Sequence, residues 1–343
     1  MSSETVKKQI QFANQKAGKT YQFNENHDPT QLAQHWFQSS SEGLVLFLVF
    51  YTQACRWSRC LGCNLPSQVS QEHVPFSDLM QQVDHLFADP QILNKCKSIQ
   101  KVIVSNNGSV LDEDTFSSTA LMYLIARLNL NMPRLKALCL ETRPEYVDMP
   151  ELEFIARALT EGDTPTTLEL AIGFEAFDDH IRNDLFDKGL SLNAFEALVK
   201  KVAPFNFHLK CYFMQKPVPG MTDEQAVADI QHAIEYLGQI SRDYAVAINM
   251  HLNPTYVATG TPLEAAFISG TFAPPKLKDV ARAALKAKDE NITIFIGLSD
   301  EGLALPGGSF LTPAAEPLLE PLEAFNRTQD YSILETLLAS NQR

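Results

Sequence analysis

The residues best placed to do chemistry lie in one short segment, Cys55-Arg-Trp-Ser-Arg-Cys60-Leu-Gly-Cys63. Half of the chain's 6 cysteines fall there. Such clustering points to a metal or redox centre, because the thiolate is both a nucleophile and a soft metal ligand. Three thiolates at the tip of one loop can hold three corners of a [4Fe–4S] cube, and without a fourth protein ligand one iron stays open to another molecule. Two other readings stay open. A structural zinc site wants four ligands, commonly as paired Cys-x-x-Cys. Here Cys60-Leu-Gly-Cys63 is the single such pair, with His73, Cys96, Cys139 and Cys211 as candidates to complete it. A thioredoxin-like redox pair would sit at a helix start, which the following Asn64-Leu65-Pro66 does not suggest. Cys139 and Cys211 fall within apolar strand-like segments, where a lone cysteine usually packs as a small hydrophobe.

The elements that must position this loop follow from hydrophobic pattern. Gly43 to Tyr51 is a continuous apolar run, the signature of a parallel strand buried on both faces, and it runs directly into the cysteine segment. Further strands are expected at Val102–Ser105, Ala137–Glu141, Leu168–Phe174, Phe207–Met214, Ala245–Leu252 and Ile292–Ile296. Helices are expected between them, at Phe76–Ala88 with Ser77 as N-cap, Asp114–Leu128, Glu151–Leu159, Leu192–Val202, Thr222–Leu237 and Lys276–Lys288. Serial strand-then-helix units predict an α/β fold with a parallel sheet, closed as a partial or full (β/α) barrel of about six units or left open and doubly wound. In either closure, chemistry collects at the C-terminal ends of the strands. Five distinctive loops share that end: the cysteine loop, Asn106–Ser109, Glu141–Glu145, Gly173–Glu175 and Gln215–Gly220. Residues 1–42 read as a polar N-terminal extension with a short helix near Thr30–Phe37, residues 43–298 as the barrel core, and 299–343 as a docked C-terminal extension.

Composition narrows the function classes. The 343 residues carry 28 Lys+Arg against 41 Asp+Glu, a net charge of −13. That balance repels phosphate backbones at long range, so tight tRNA binding is not expected. The longest apolar run falls far short of the roughly 20 residues needed to span a membrane, and the polar N-terminus lacks a signal-peptide core. A cytoplasmic protein is expected, in which a disulfide framework is improbable.

Several ordered motifs carry a family resemblance. TQACRWSRCLGC, VIVSNNGSVLDE, LCLETRPEYV, AIGFEAFDDHIRNDLFDKG, LKCYFMQKPVPGMTDEQAVADI and INMHLNPTYVATGTPLE follow one another from about Gly43 to Leu298. In this order they resemble the radical S-adenosylmethionine (SAM) superfamily, and within it the Elp3-like, archaeosine-synthesis-related branch. The first cysteine gap is four residues rather than the common three, Gly62 stands where many relatives have an aromatic residue, and Asp187 stands where Asn is usual. The resemblance implies a [4Fe–4S] cluster on Cys55, Cys60 and Cys63, with SAM bound at its open iron. It implies SAM contacts from Gly108, Ser109, Glu141 and Glu175, with Lys188 toward the SAM carboxylate. It implies reductive cleavage of SAM and hydrogen abstraction from a substrate, with an electron donor such as flavodoxin or ferredoxin. The charge favours a small-molecule or protein substrate. The alternatives are a tRNA-modifying radical SAM enzyme, which the branch suggests, and a non-catalytic zinc-stabilised binding protein.

Overall fold

The computed structural model describes residues 2–339. The elements run α1 (Ser3–Lys16), β1 (Gln34–Ser40), β2 (Gly43–Val49), α2 (Phe76–Ala88), α3 (Pro90–Lys95), β3 (Ile99–Ser105), α4 (Ser118–Asn131), β4 (Ala137–Thr142), α5 (Met149–Ala158), β5 (Thr167–Glu175), α6 (Leu192–Val202), β6 (His208–Gln215), α7 (Asp223–Tyr244), β7 (Ile248–Pro254), α8 (Pro262–Ile268), α9 (Leu277–Ala284), β8 (Thr293–Ile296), α10 (Glu316–Thr328) and α11 (Tyr331–Ala339). All eight strands form one sheet in sequence order. β1 is antiparallel to β2, and every later pairing is parallel. The sheet is therefore a partial barrel rather than a closed one, and the α/β architecture expected from the sequence is present.

Alternation along the strands separates two apolar layers. Leu46, Leu48, Val102, Val104, Leu138 and Leu140 face outward and pack in one large core with the helices. Val45, Phe47, Val49, Ile103, Cys139 and Ala171 face inward and form a second core with Trp36 and Tyr212. Near the N-terminal end of the strands the interior becomes ionic. Lys101 Nζ, almost fully buried, pairs with Glu169 at 2.7 Å and Glu42 at 2.8 Å. Lys210 Nζ donates to Asn249 beside them. This end is plugged, so the usable space opens at the other.

Two departures from the expected elements have local causes. Thr30–Phe37 is not a helix; Gln34–Ser40 is instead a strand, because it finds a partner in β2 and stacks Trp36 on Phe47 at 4.2 Å between ring centroids. Tertiary pairing overrides a weak helical pattern. The polar start contains α1, held by Val6, Ile10 and Ala13 with Asn14 buried beside them, too few apolar positions to stand out among polar neighbours. Helix α2 occupies the expected residues, but Pro75 rather than Ser77 is its N-cap. Thr222 caps α7 through a reciprocal capping box with Gln225.

Helix α10 closes the gap between the sheet's two edges. The Asn326 amide donates to the Ile296 carbonyl and accepts from the Ile296 N–H, both at 2.8 Å. One turn on, Gln329 does the same for Ile294 at 2.8 and 3.1 Å. The Asn326 carbonyl accepts from Ser41 N–H, which tethers the β1–β2 turn. Two side-chain amides thus stand where the next strand of a closed barrel would be. No helix among the described residues is long and apolar enough to cross a membrane.

Candidate active site

A cavity of about 600 Å³ opens at the C-terminal ends of the strands. Cys55, Cys60, Cys63, Gly108, Glu141, Glu175 and Lys188 all line it. All but one of the candidate residues thus reach a common space, although they come from four different loops.

The cysteine loop is held by its neighbours. Leu61 N–H donates to the Phe186 carbonyl at 2.9 Å, and Ser58 Oγ donates to the Cys55 carbonyl at 2.6 Å. Trp57 Nε1 donates to the Asp187 carbonyl at 2.7 Å. Its indole lies between two guanidiniums, Arg59 at 3.8 Å and Arg143 at 4.2 Å from the ring centroid. Gly189 makes this docking possible: a Cβ there would overlap the Trp57 ring. Arg56 pairs with Asp112 at 2.5 Å and Asp114 at 2.9 Å, both following β3. At position 62, a Cβ would lie 2.6 Å from Leu263, so a larger side chain would meet α8.

The other candidates divide by role. At Gly108, a Cβ would come within 3.2 Å of the Cys55 backbone, so glycine permits the β3 loop to lie against the cysteine loop. Ser109 is buried and does not line the cavity; its hydroxyl accepts from Arg143 N–H at 2.9 Å and meets Thr142 Oγ1 at 3.1 Å, joining the loops after β3 and β4. Glu141 accepts from the Tyr212 hydroxyl at 2.7 Å, and burial pushes its carboxyl above the ordinary range. Glu175 sits at a β-bulge with φ +70°, a geometry that turns a side chain off the regular pleat. It pairs with Lys188 at 2.6 Å. A Cβ at Gly173 would collide with this pair. Arg143 does not pair with Glu141. It bonds Glu145 and donates to the Lys188 carbonyl at 3.0 Å.

Some cavity residues gave no signal in the sequence. His251 is buried between Tyr212 at 5.0 Å and Phe295 at 4.8 Å, and burial holds its pKa well below the usual histidine value. Its Nδ1 has no hydrogen-bond partner. The three residues are register partners on β6, β7 and β8, a relation only strand pairing reveals. Trp36 and Phe47 join them on the inner wall, and Asn253, which the INMHLNPTYVATGTPLE motif already marked, lines it too. Lys216 lies outside the lining and pairs with Asp223 at 2.6 Å.

Among the described residues, no three His, Cys, Asp or Glu side chains are gathered as a metal-ligating group. The three thiols are nevertheless free, half-buried and turned to one cavity. Burial pushes the Cys63 thiol up to about 12, opposed by the charge of Lys19. Several buried polar atoms beside the loop lack partners: Lys19 Nζ, Asn64 Oδ1 and both amide atoms of Asn106. A native fold leaves few such atoms without a ligand or water. The residues therefore fit an anionic thiolate-bound group and a polar ligand.

No family model matches the chain. It is 27% identical over 249 residues to archaeosine synthase subunit beta of Methanosarcina acetivorans, covering 71% of this chain and 67% of that protein. It is 22% identical over 306 residues to the uncharacterized protein MJ0550 of Methanocaldococcus jannaschii, covering 87% and 80%. Among solved structures, Methanocaldococcus infernus Elp3 gives a TM-score of 0.49 at 15% identity, over 73% of this chain and 59% of that one. A cysteine-to-alanine mutant of spore photoproduct lyase with a dinucleoside spore photoproduct gives 0.43 at 14% identity, over 68% and 62%. In its motif order, and in its similarity to archaeosine synthase subunit beta, the chain resembles the archaeosine-synthesis-related side of the radical SAM superfamily.

Proposed function

We propose that this protein is a radical SAM enzyme that holds a [4Fe–4S] cluster on Cys55, Cys60 and Cys63. One observation carries the reading: three free thiols on the loop after β2 line the same cavity as Gly108, Glu141, Glu175 and Lys188. When bound, the cluster would supply one electron for reductive cleavage of SAM and so for hydrogen abstraction from a substrate. The chain's own residues position and shield. Gly108 lets the β3 loop lie flat against the cysteines. Glu175 and Lys188, mutually neutralised, can each turn a hydrogen-bonding group toward the ribose or the amino-acid part of SAM. Glu141, its position fixed by Tyr212, presents a carboxylate to hydroxyl or ammonium donors. Trp57 and the aromatic inner wall keep water from the reacting centre. Reduction would come from a flavodoxin- or ferredoxin-like donor.

The substrate is proposed to be a small molecule or a protein. Around the mouth, Arg56, Arg59, Arg143, Lys188 and Lys216 each face a carboxylate, leaving these cations little charge for phosphates. Lys286 and Lys288, on the outer helical layer, pair with Glu235 and Glu335. A tRNA substrate is the second reading, favoured by the similarity to archaeosine synthase subunit beta.

Anaerobic reconstitution tests the cofactor. About four irons per chain with broad visible absorbance are expected. Alanine at Cys55, Cys60 or Cys63 should abolish them, and alanine at Cys96, Cys139 or Cys211 should not. Bound zinc without iron would refute the proposal and support the zinc-stabilised alternative. Gel-shift titration at about 150 mM salt tests the substrate class: sub-micromolar binding of bulk tRNA would promote the second reading.

A further inference from the structure

Lys19 lies in the N-terminal segment, outside the motif-bearing part of the chain, yet it lines the cavity. Its ammonium is buried without a hydrogen-bond acceptor, although its stem is partly exposed. The face of Tyr21 lies beneath it, 5.6 Å from the ring centroid, a weak compensation for a full charge. A buried, unpaired ammonium is costly unless an anion joins it.

The backbone around Lys19 is fixed rather than trailing. Its N–H donates to the Asn14 carbonyl at the end of α1, at 3.1 Å. Thr20 N–H donates to the Gly260 carbonyl at 2.9 Å, and the Tyr21 hydroxyl donates to Asn14 Oδ1 at 3.0 Å. The same loop after β7 also receives the cysteine loop, since Asn64 Nδ2 donates to the Thr259 carbonyl at 3.2 Å. The lysine and the cysteines are therefore anchored to one scaffold. Of the two lysines near these thiols, Lys188 is neutralised by Glu175 and Lys19 is not.

We propose that Lys19 is the counter-charge for the anionic group that the cysteine loop carries. This rests on the cluster reading above and extends it to a residue from outside the barrel core. A fixed positive charge beside a redox group stabilises its more negative, reduced state and raises its midpoint potential. In the iron-free protein the same charge is uncompensated and destabilising. The two effects have opposite signs, which a residue serving only the fold would not show.

The test uses Lys19→Met and Lys19→Arg. Without iron, Lys19→Met should melt at or above the wild-type temperature. Loaded with iron and without SAM, it should show a midpoint potential more negative than wild type by EPR-monitored redox titration, or lose iron while its circular dichroism stays native. Lys19→Arg should restore the wild-type potential and iron content. An iron-free Lys19→Met that melts below wild type, or a loaded one with an unchanged potential, overturns the proposal. If wild-type protein binds no iron, the cluster reading falls and takes this one with it. If wild type binds iron but the variants behave as just described for failure, only the Lys19 role falls.

Discussion

Replacing Gly189 by alanine should undock the cysteine loop, and the size of the effect can be worked from the geometry. Two penalties add. The residue has φ +63°, where a Cβ costs about 1–2 kcal/mol. The new methyl group would also overlap the Trp57 ring, which is packed between Arg59 and Arg143. Overpacking of this kind costs about 1–3 kcal/mol. The total is about 2–5 kcal/mol. An unfolding entropy of about 2.1 cal/mol/K per residue gives about 0.7 kcal/mol/K for 343 residues, so the melting temperature should fall by about 3–7 °C. Gly220→Ala is the control: its φ is +78° but no atom lies within 4 Å of the new Cβ, so only the backbone penalty remains. That is about 1–3 °C on the same scale. The assay pairs thermal melts with fluorescence, which has just 2 tryptophans to report. Gly189→Ala alone should shift emission to the red and raise acrylamide quenching. Equal melting shifts in the two variants, with unchanged emission, would refute the argument that Trp57 docks the loop.

Further outcomes are expected. Asn326→Leu strands the Ile296 N–H and carbonyl, so it should cost about 2–5 kcal/mol and speed hydrogen exchange at the Ile296 amide, as read by mass spectrometry. Burial raises the Glu141 carboxyl above its unfolded value, so its ionised form weakens the fold as pH rises through that range. Glu141→Gln should therefore gain stability relative to wild type on going from pH 5 to pH 8 in denaturant titrations, and a flat difference would count against it. His251 has a depressed pKa, so stability should drain away as pH falls below about 6.5, where the unfolded imidazole takes up a proton. His251→Phe should shrink that acid loss. Asp112→Asn leaves the half-buried Arg56 with weaker compensation from Asp114 and should cost roughly 1–3 kcal/mol in chemical unfolding.

Legibility followed sequence locality. The parallel strands were readable because each is an apolar run buried on both faces, and the gathering of loops at one mouth followed from strand direction alone. The clustering of Cys55, Cys60 and Cys63 was visible in their spacing, and the structure adds that all three line one cavity. Strand β1 was not readable: its residues are half-exposed, and its conformation comes from β2 across a two-residue turn. Lys19 and His251 were missed for a related reason. A lysine in a polar segment and a histidine in a strand look ordinary until distant chain segments surround them. Ser109 shows the converse, since its motif neighbours reach the cavity while its own hydroxyl is spent joining two loops.

The amides of Asn326 and Gln329, on and just beyond α10, also bear on self-association. An open sheet has two raw edges, each a template on which another chain can add a strand. At β8 the edge-facing N–H and carbonyl groups of Ile294 and Ile296 are already engaged by Gln329 and Asn326. Side chains on a helix cannot propagate a ladder, so the edge is silenced without another strand being spent. Whatever loosens this helix uncovers a short, apolar, parallel edge, so the chain's resistance to aggregation rests on a segment that also lines the wall of the cavity shared with the cysteines.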